Sequence, residues 1–128
     1  MLKPFSFKRK ENSRSHKRTS WQQGLWAEWI AMLYLILKGW RILHHRYKTP
    51  LGEVDVIAEK GNTIAFVEVK FRRRQENLEY VISPYQWKRI EGVAHLMARR
   101  FPPHYTFRFD AIFLCFWKWP EHRENAFP

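Results

Sequence analysis

Apolar positions recur with helical spacing in LWAEWIAMLYLIL, residues 25–37, which reads as a buried helix. Ser20 can serve as its N-cap, and the helix is predicted to run to about Lys38. Gly39 follows where a helix takes a left-handed C′ residue. WRILHHRY (40–47) has the mixed pattern of a strand, and Pro50 and Gly52 punctuate a turn over 48–52. GEVDVIAEKGNTIAFVEVK (52–70) then reads as a hairpin, with strands over 53–59 and 63–71 around Lys60-Gly61-Asn62. Residues 72–81 form a polar, arginine-led connection, expected to be mobile. Ser83-Pro84 opens a second helix, Ser as N-cap and Pro at N1, running to about Arg100 with Ile90, Val93, Ala94 and Met97 as its apolar stripe. Pro102-Pro103 breaks the chain before a last strand, YTFRFDAIFLCFW (105–117). The order αβββαβ predicts an α/β fold: a mixed sheet with an antiparallel hairpin, flanked by two helices. The helical crossover before the last strand lets it lie parallel to a neighbour. One domain over 20–117 is expected, with a disordered basic tail at 1–19 and a short C-terminal tail at 118–128.

Composition narrows the functions. The chain of 128 residues carries a net charge of +11, with seven Lys/Arg against one Glu in its first nineteen residues. A basic tail on a basic body points to a polyanion, first nucleic acid and second an anionic membrane surface. Cys115 is the single cysteine, so no internal disulfide and no cysteine zinc cluster can form, as in a reducing cytoplasm. The six histidines include no H-x₃-H pair, which argues against a histidine metal site. No apolar signal segment opens the chain, and its longest apolar run is 13 residues where a membrane span needs about 20. A cytoplasmic protein without a transmembrane segment is expected.

The hairpin holds the chemistry. Glu68 and Lys70 are two apart and share a face of their strand. If Gly61-Asn62 form a two-residue type II′ loop, residue 60 pairs with 63, and Asp55 falls opposite Glu68 with Cβ atoms roughly 5 Å apart. A slip of one residue would send the two acids to opposite faces. Two opposed carboxylates repel unless a divalent cation lies between them, and Mg²⁺ (or Mn²⁺) takes one or two carboxylates plus water and substrate phosphate. Asp55 and Glu68 are thus candidate metal ligands. Lys70 would neutralise a phosphate and orient or help deprotonate a water, as phosphodiester hydrolysis requires. Glu28 lies in an apolar helix with no opposite charge within four residues. Buried, such an acid needs a partner or a metal, so it is a further candidate for the site. The alternative is an ordinary salt-bridged strand face, with Glu28 a partly exposed acid near the helix start.

The elements G..AE (24–28), GEVDVIA (52–58), FVEVKFR (66–72), RI...A (89–94) and RFD (108–110) together resemble the YraN-type family of bacterial proteins. That family is similar to Holliday-junction resolvases, within the PD-(D/E)XK superfamily. The resemblance spans roughly 20–117 and implies a restriction-endonuclease-like core. It also implies a D…(D/E)-x-K set at Asp55, Glu68 and Lys70, with Glu28 as the acid that members carry on the first helix. It implies that Gln86, at the start of the second helix, helps orient the site. Where members usually show Arg-Asn before the turn, this chain has His45-Arg46, and after E-x-K it has Phe71-Arg72 in place of Thr-Arg.

Arg72, Arg73 and Arg74 could clamp phosphates, as could Lys88 and Arg89 near a helix N-terminus. Asp110 shares a face with Arg108 and reads as structural, tying its strand to His104 or a loop. Trp21, Trp26, Trp29, Trp40 and Trp87 read as core or interface residues, and the aromatic strand FLCFWKW as a candidate homodimer surface. The leading expectation is a Mg²⁺- or Mn²⁺-dependent nuclease acting on nucleic acid, DNA first, in branched or damaged form. The alternatives are a non-catalytic nucleic-acid-binding module of the same fold and a membrane-surface or assembly factor.

Overall fold

The computed structural model describes residues 25–72, 82–115 and 117–126. The first helix, α1, is described over 25–37; Ser20, Trp21 and Gly24 lie outside the described residues. At its C-terminal end Gly39 has φ of 95°, the Gly39 N–H donates to the Ile36 carbonyl and the Trp40 N–H to the Leu35 carbonyl. This is the Schellman closure expected from a C′ glycine.

The chain continues through β1 (Arg41–Thr49), β2 (Gly52–Lys60), β3 (Thr63–Arg72), α2 (Pro84–Ala98), β4 (Thr106–Cys115) and β5 (Glu121–Arg123). The strands form one sheet in sequential order. β1, β2 and β3 pair antiparallel, β4 lies parallel to β3, and β5 is antiparallel to β4. The α/β fold and its αβββαβ order are as the sequence predicts.

The helices cover opposite faces. Ala27, Ala31 and Leu35 of α1 pack with Val56, Val67 and Ile112. Ile90, Val93 and Met97 of α2 pack with Ile57, Phe66 and Phe113. Small residues on the inner side of α1 let its backbone come close to the sheet. α2 starts as expected: Ser83 accepts from the Gln86 N–H, Gln86 closes a capping box, and Pro84 stands at N1.

Close approach also fixes the β1–β2 turn against α2. A Cβ built on Gly52 would lie 2.5 Å from the Arg89 carbonyl oxygen, a backbone atom that cannot swing away. Gly52→Ala should therefore lower stability by about 1–3 kcal/mol through overpacking, measured as a drop in urea midpoint with unchanged slope.

Of the short tail expected over 118–128, residues 121–125 supply β5 and a clamp on β4. Asp110 is fully buried and accepts from Arg108 Nε and Nη2 at 2.9 Å each and from the Asn125 N–H at 2.9 Å. His122 Nε2 lies 2.8 Å from its Oδ2, and Lys38 Nζ is 2.8 Å from His122 Nδ1. The partner of Asp110 is His122, not His104, which is exposed and meets the Tyr105 ring at a tilt. Burial alone would raise the Asp110 pKa, but the hydrogen bonds from His122, Arg108 and Asn125 and the Arg108 charge hold it below the usual carboxylate value. Trp40 and Trp87 are buried as expected, while Trp26 and Trp29 stand exposed on α1.

Candidate functional site

The β2–β3 register follows from the turn. Gly61 has φ of 60°, the value a type II′ turn needs at its first position. Lys60 pairs with Thr63, and the pairing continues to Val56 with Val67. The ladder stops there, and one residue further on Asp55 and Glu68 meet through their side chains. There a side chain enters the hydrogen bonding: Asp55 Oδ2 accepts the Val69 N–H at 2.9 Å. Val67 and Val69 join the core beneath α1, so alternation turns Glu68 and Lys70 to the α2 side.

Glu68 is almost fully buried, and its pKa is pushed up to about 10. Burial contributes most, followed by the hydrogen bond and the charge of Asp55; Lys70 pulls the value down, and the Glu28 charge adds a smaller push upward. Glu68 is thus held protonated and hydrogen-bonds to Asp55.

The pair opens into a cleft with about 50 Å³ of room, lined by Glu53, Asp55, Glu68, Gln86 and Arg89. That is space for a few waters or a hydrated ion. The cleft meets the first turns of α2, where Gln86 and Arg89 sit, and the first turn holds no acidic residue to neutralise the helix end. The Arg89 guanidinium lies over the Tyr85 ring, 5.9 Å from its centroid.

Glu28 is buried but not alone. Its Oε1 is 2.7 Å from His45 Nε2 and accepts from Arg46 Nε at 3.0 Å, while Oε2 accepts from Arg46 Nη2 at 3.1 Å. These partners lie far beyond the four residues over which the helix offered none. Arg46 has φ of 56°, unusual outside glycine, at the β1 position across from Asp55. Glu28 thus reaches Glu68 through its field, with its own oxygens engaged by His45 and Arg46.

The structure brings Asp55, Glu68, Gln86 and Arg89 to one cleft, with Lys70 on the same strand face. Lys88 is exposed and outside the cleft lining. The backbone of Arg72 ends β3; its side chain, Arg73 and Arg74 lie outside the described residues. Glu53 is the cleft residue that the sequence reading passed over. Its signal was the spacing of two that separates it from Asp55 on β2.

A divalent cation fits this donor set. Among the described residues no group of three or more His, Cys, Asp or Glu could hold a metal, so a closed protein cage is excluded there. Asp55 and Glu68 beside an open cleft are the oxygen donors that could hold such an ion, leaving room for water and phosphate to complete it. Among the described residues no helix is long and apolar enough to cross a membrane.

The sequence also matches known proteins. A UPF0102 protein of Rhodopseudomonas palustris (strain HaA2) is 43% identical over 110 residues, covering 84% of this chain and 86% of that protein. A UPF0102 protein of Mesorhizobium japonicum is 37% identical over 119 residues, covering 91% and 95%. One from Sphingopyxis alaskensis is 41% identical over 101 residues, covering 78% and 87%. The model of uncharacterised protein family UPF0102 matches residues 27–114, a span that holds every described candidate of the cleft. The chain belongs to family UPF0102, the YraN-type family its motifs resemble.

Proposed function

We propose that this protein is a divalent-cation-dependent nuclease that hydrolyses phosphodiester bonds in DNA, with branched or damaged DNA as the preferred form. The observation that carries this reading is the pairing of buried Glu68 with half-buried Asp55, open to a cleft at a helix N-terminus. Asp55 and Glu68 would hold Mg²⁺ or Mn²⁺. The bound ion would act as a Lewis acid on the phosphodiester and make water a better nucleophile. Lys70 orients that water and offsets charge that builds on the phosphoryl oxygens. Gln86 and Arg89 hold the substrate phosphate against the start of α2, and Lys88 and the arginines at 72–74 extend the contact along the backbone. Glu28, held by His45 and Arg46, is a positioning residue: its charge favours the ion in the cleft, and it braces β1 against the Asp55 position. The basic segment 1–19 adds sequence-independent attraction to the polyanion, in a cytoplasmic setting where DNA and Mg²⁺ are at hand.

The test is a screen of Mg²⁺, Mn²⁺ and Ca²⁺ against branched, duplex and single-stranded DNA and RNA, with Glu68→Ala as control. Cleavage should require Mg²⁺ or Mn²⁺ and Glu68, and should be fastest on branched DNA. DNA binding with no cleavage under any cation would instead assign the chain to the non-catalytic binding modules.

A further inference from the structure

Helix α1 is apolar on both sides. Its inner side packs on the sheet; on its outer side Trp26, Trp29, Ile30, Leu33, Ile36 and Leu37 are 72, 60, 41, 58, 52 and 77% exposed. Together these fractions equal between three and four whole side chains, on the order of 700 Å² at ~200 Å² for each large apolar side chain. The largest patch on a typical monomer is about 300–600 Å². The one charged residue within 25–37, Glu28, turns inward to His45 and Arg46, so nothing charged interrupts the stripe.

The spacing says what kind of surface covers it. Trp26, Ile30, Leu33 and Leu37 follow one another at intervals of four, three and four, the seam of a packed helix pair, with Trp29 and Ile36 flanking it. A helix that lies in a lipid surface carries Lys or Arg on its polar side, and 25–37 has neither. The interval pattern also reads the same in both directions. A twofold axis between Ala31 and Met32 sets Trp26 across from the partner's Leu37 and Ile30 across from the partner's Leu33. Two such faces would bury about 1,400 Å², within the ~1,200–2,000 Å² of a stable interface. We propose that α1 is the interface of an antiparallel homodimer of this chain. The proposal uses none of the cleft residues and stands apart from the nuclease reading.

Sedimentation equilibrium of the full chain tests it, alongside Leu33→Glu. Leu33 is exposed, so the variant should keep the far-ultraviolet spectrum and melting temperature of the monomer fold. The chain should sediment at twice its mass, and Leu33→Glu should weaken association about a hundredfold or more. A second variant, Trp26→Cys/Leu37→Cys on a Cys115→Ser background, should oxidise to a covalent dimer, with either new cysteine alone failing to do so. Four results would overturn the proposal. They are a monomeric chain at tens of micromolar, a dimer that a folded Leu33→Glu leaves intact, and association that appears only after residues 1–19 are removed. The fourth is a monomer that binds phosphatidylglycerol vesicles through Leu33.

Discussion

Replacing Glu68 by Gln should raise the stability of the cation-free protein at alkaline pH while removing its response to Mn²⁺. The opposed signs follow from the proton that Glu68 holds. Glu68 is held protonated, its pKa raised from 4.5 to about 10 by burial first and then by Asp55. A raised folded pKa contributes stability that is fully present below the unfolded value and is lost as pH rises through the folded one. The melting temperature of cation-free wild type should therefore decline between those two values. A Gln amide donates to Asp55 without a titrating proton, so the variant should show a flatter profile. A cation must displace the Glu68 proton, so wild type should bind Mn²⁺ more tightly as pH rises and release about one proton on binding. Calorimetry in buffers of different ionisation enthalpy reads that proton. In Glu68→Gln the release and the thermal shift should vanish, and cleavage should fall about 10³-fold or more. A variant that keeps its Mn²⁺ shift would remove Glu68 from the site.

Asp110→Ala should be the most damaging single change to stability, at about 3–5 kcal/mol, because it leaves Arg108 and His122 without their buried acceptor. Urea denaturation measures the loss. The pH dependence has the opposite sense to that of Glu68. The Asp110 pKa is lowered in the fold, so its contribution is present above the ordinary carboxylate value and lost as pH falls through the folded one. Wild type should show a steep acid limb that Asp110→Asn reduces. Asp110 shares the α1 face of β4 with Ile112 and Leu114, away from the cleft on the α2 side. The folded fraction of either variant should therefore keep its response to Mn²⁺.

Local chemistry made much of this legible beforehand. Gly39 and Gly61 mark left-handed positions, Ser83-Pro84 marks a helix start, and the Gly61-Asn62 loop sets a register that pairs Lys60 with Thr63 and runs to Val56 with Val67. Partnerships between distant segments were not legible. Glu28 finds His45 and Arg46 across the sheet, and Asp110 finds His122 in a segment whose pattern is too short to announce a strand. The outward apolar side of α1 was hidden for another reason. A helix apolar all round reads as buried, and the hydrophobic pattern cannot separate a core covered by the same chain from one completed by another.

The sheet order has a kinetic consequence. β1, β2 and β3 form a meander joined by tight turns, whereas β4 must reach β3 by a parallel crossover through α2. Short loops close early and long ones late. The two acids should therefore meet in the first structure to form, while Gln86 and Arg89 arrive with the crossover. Mutations in the hairpin should slow refolding, and those at the β3–β4 seam should chiefly speed unfolding.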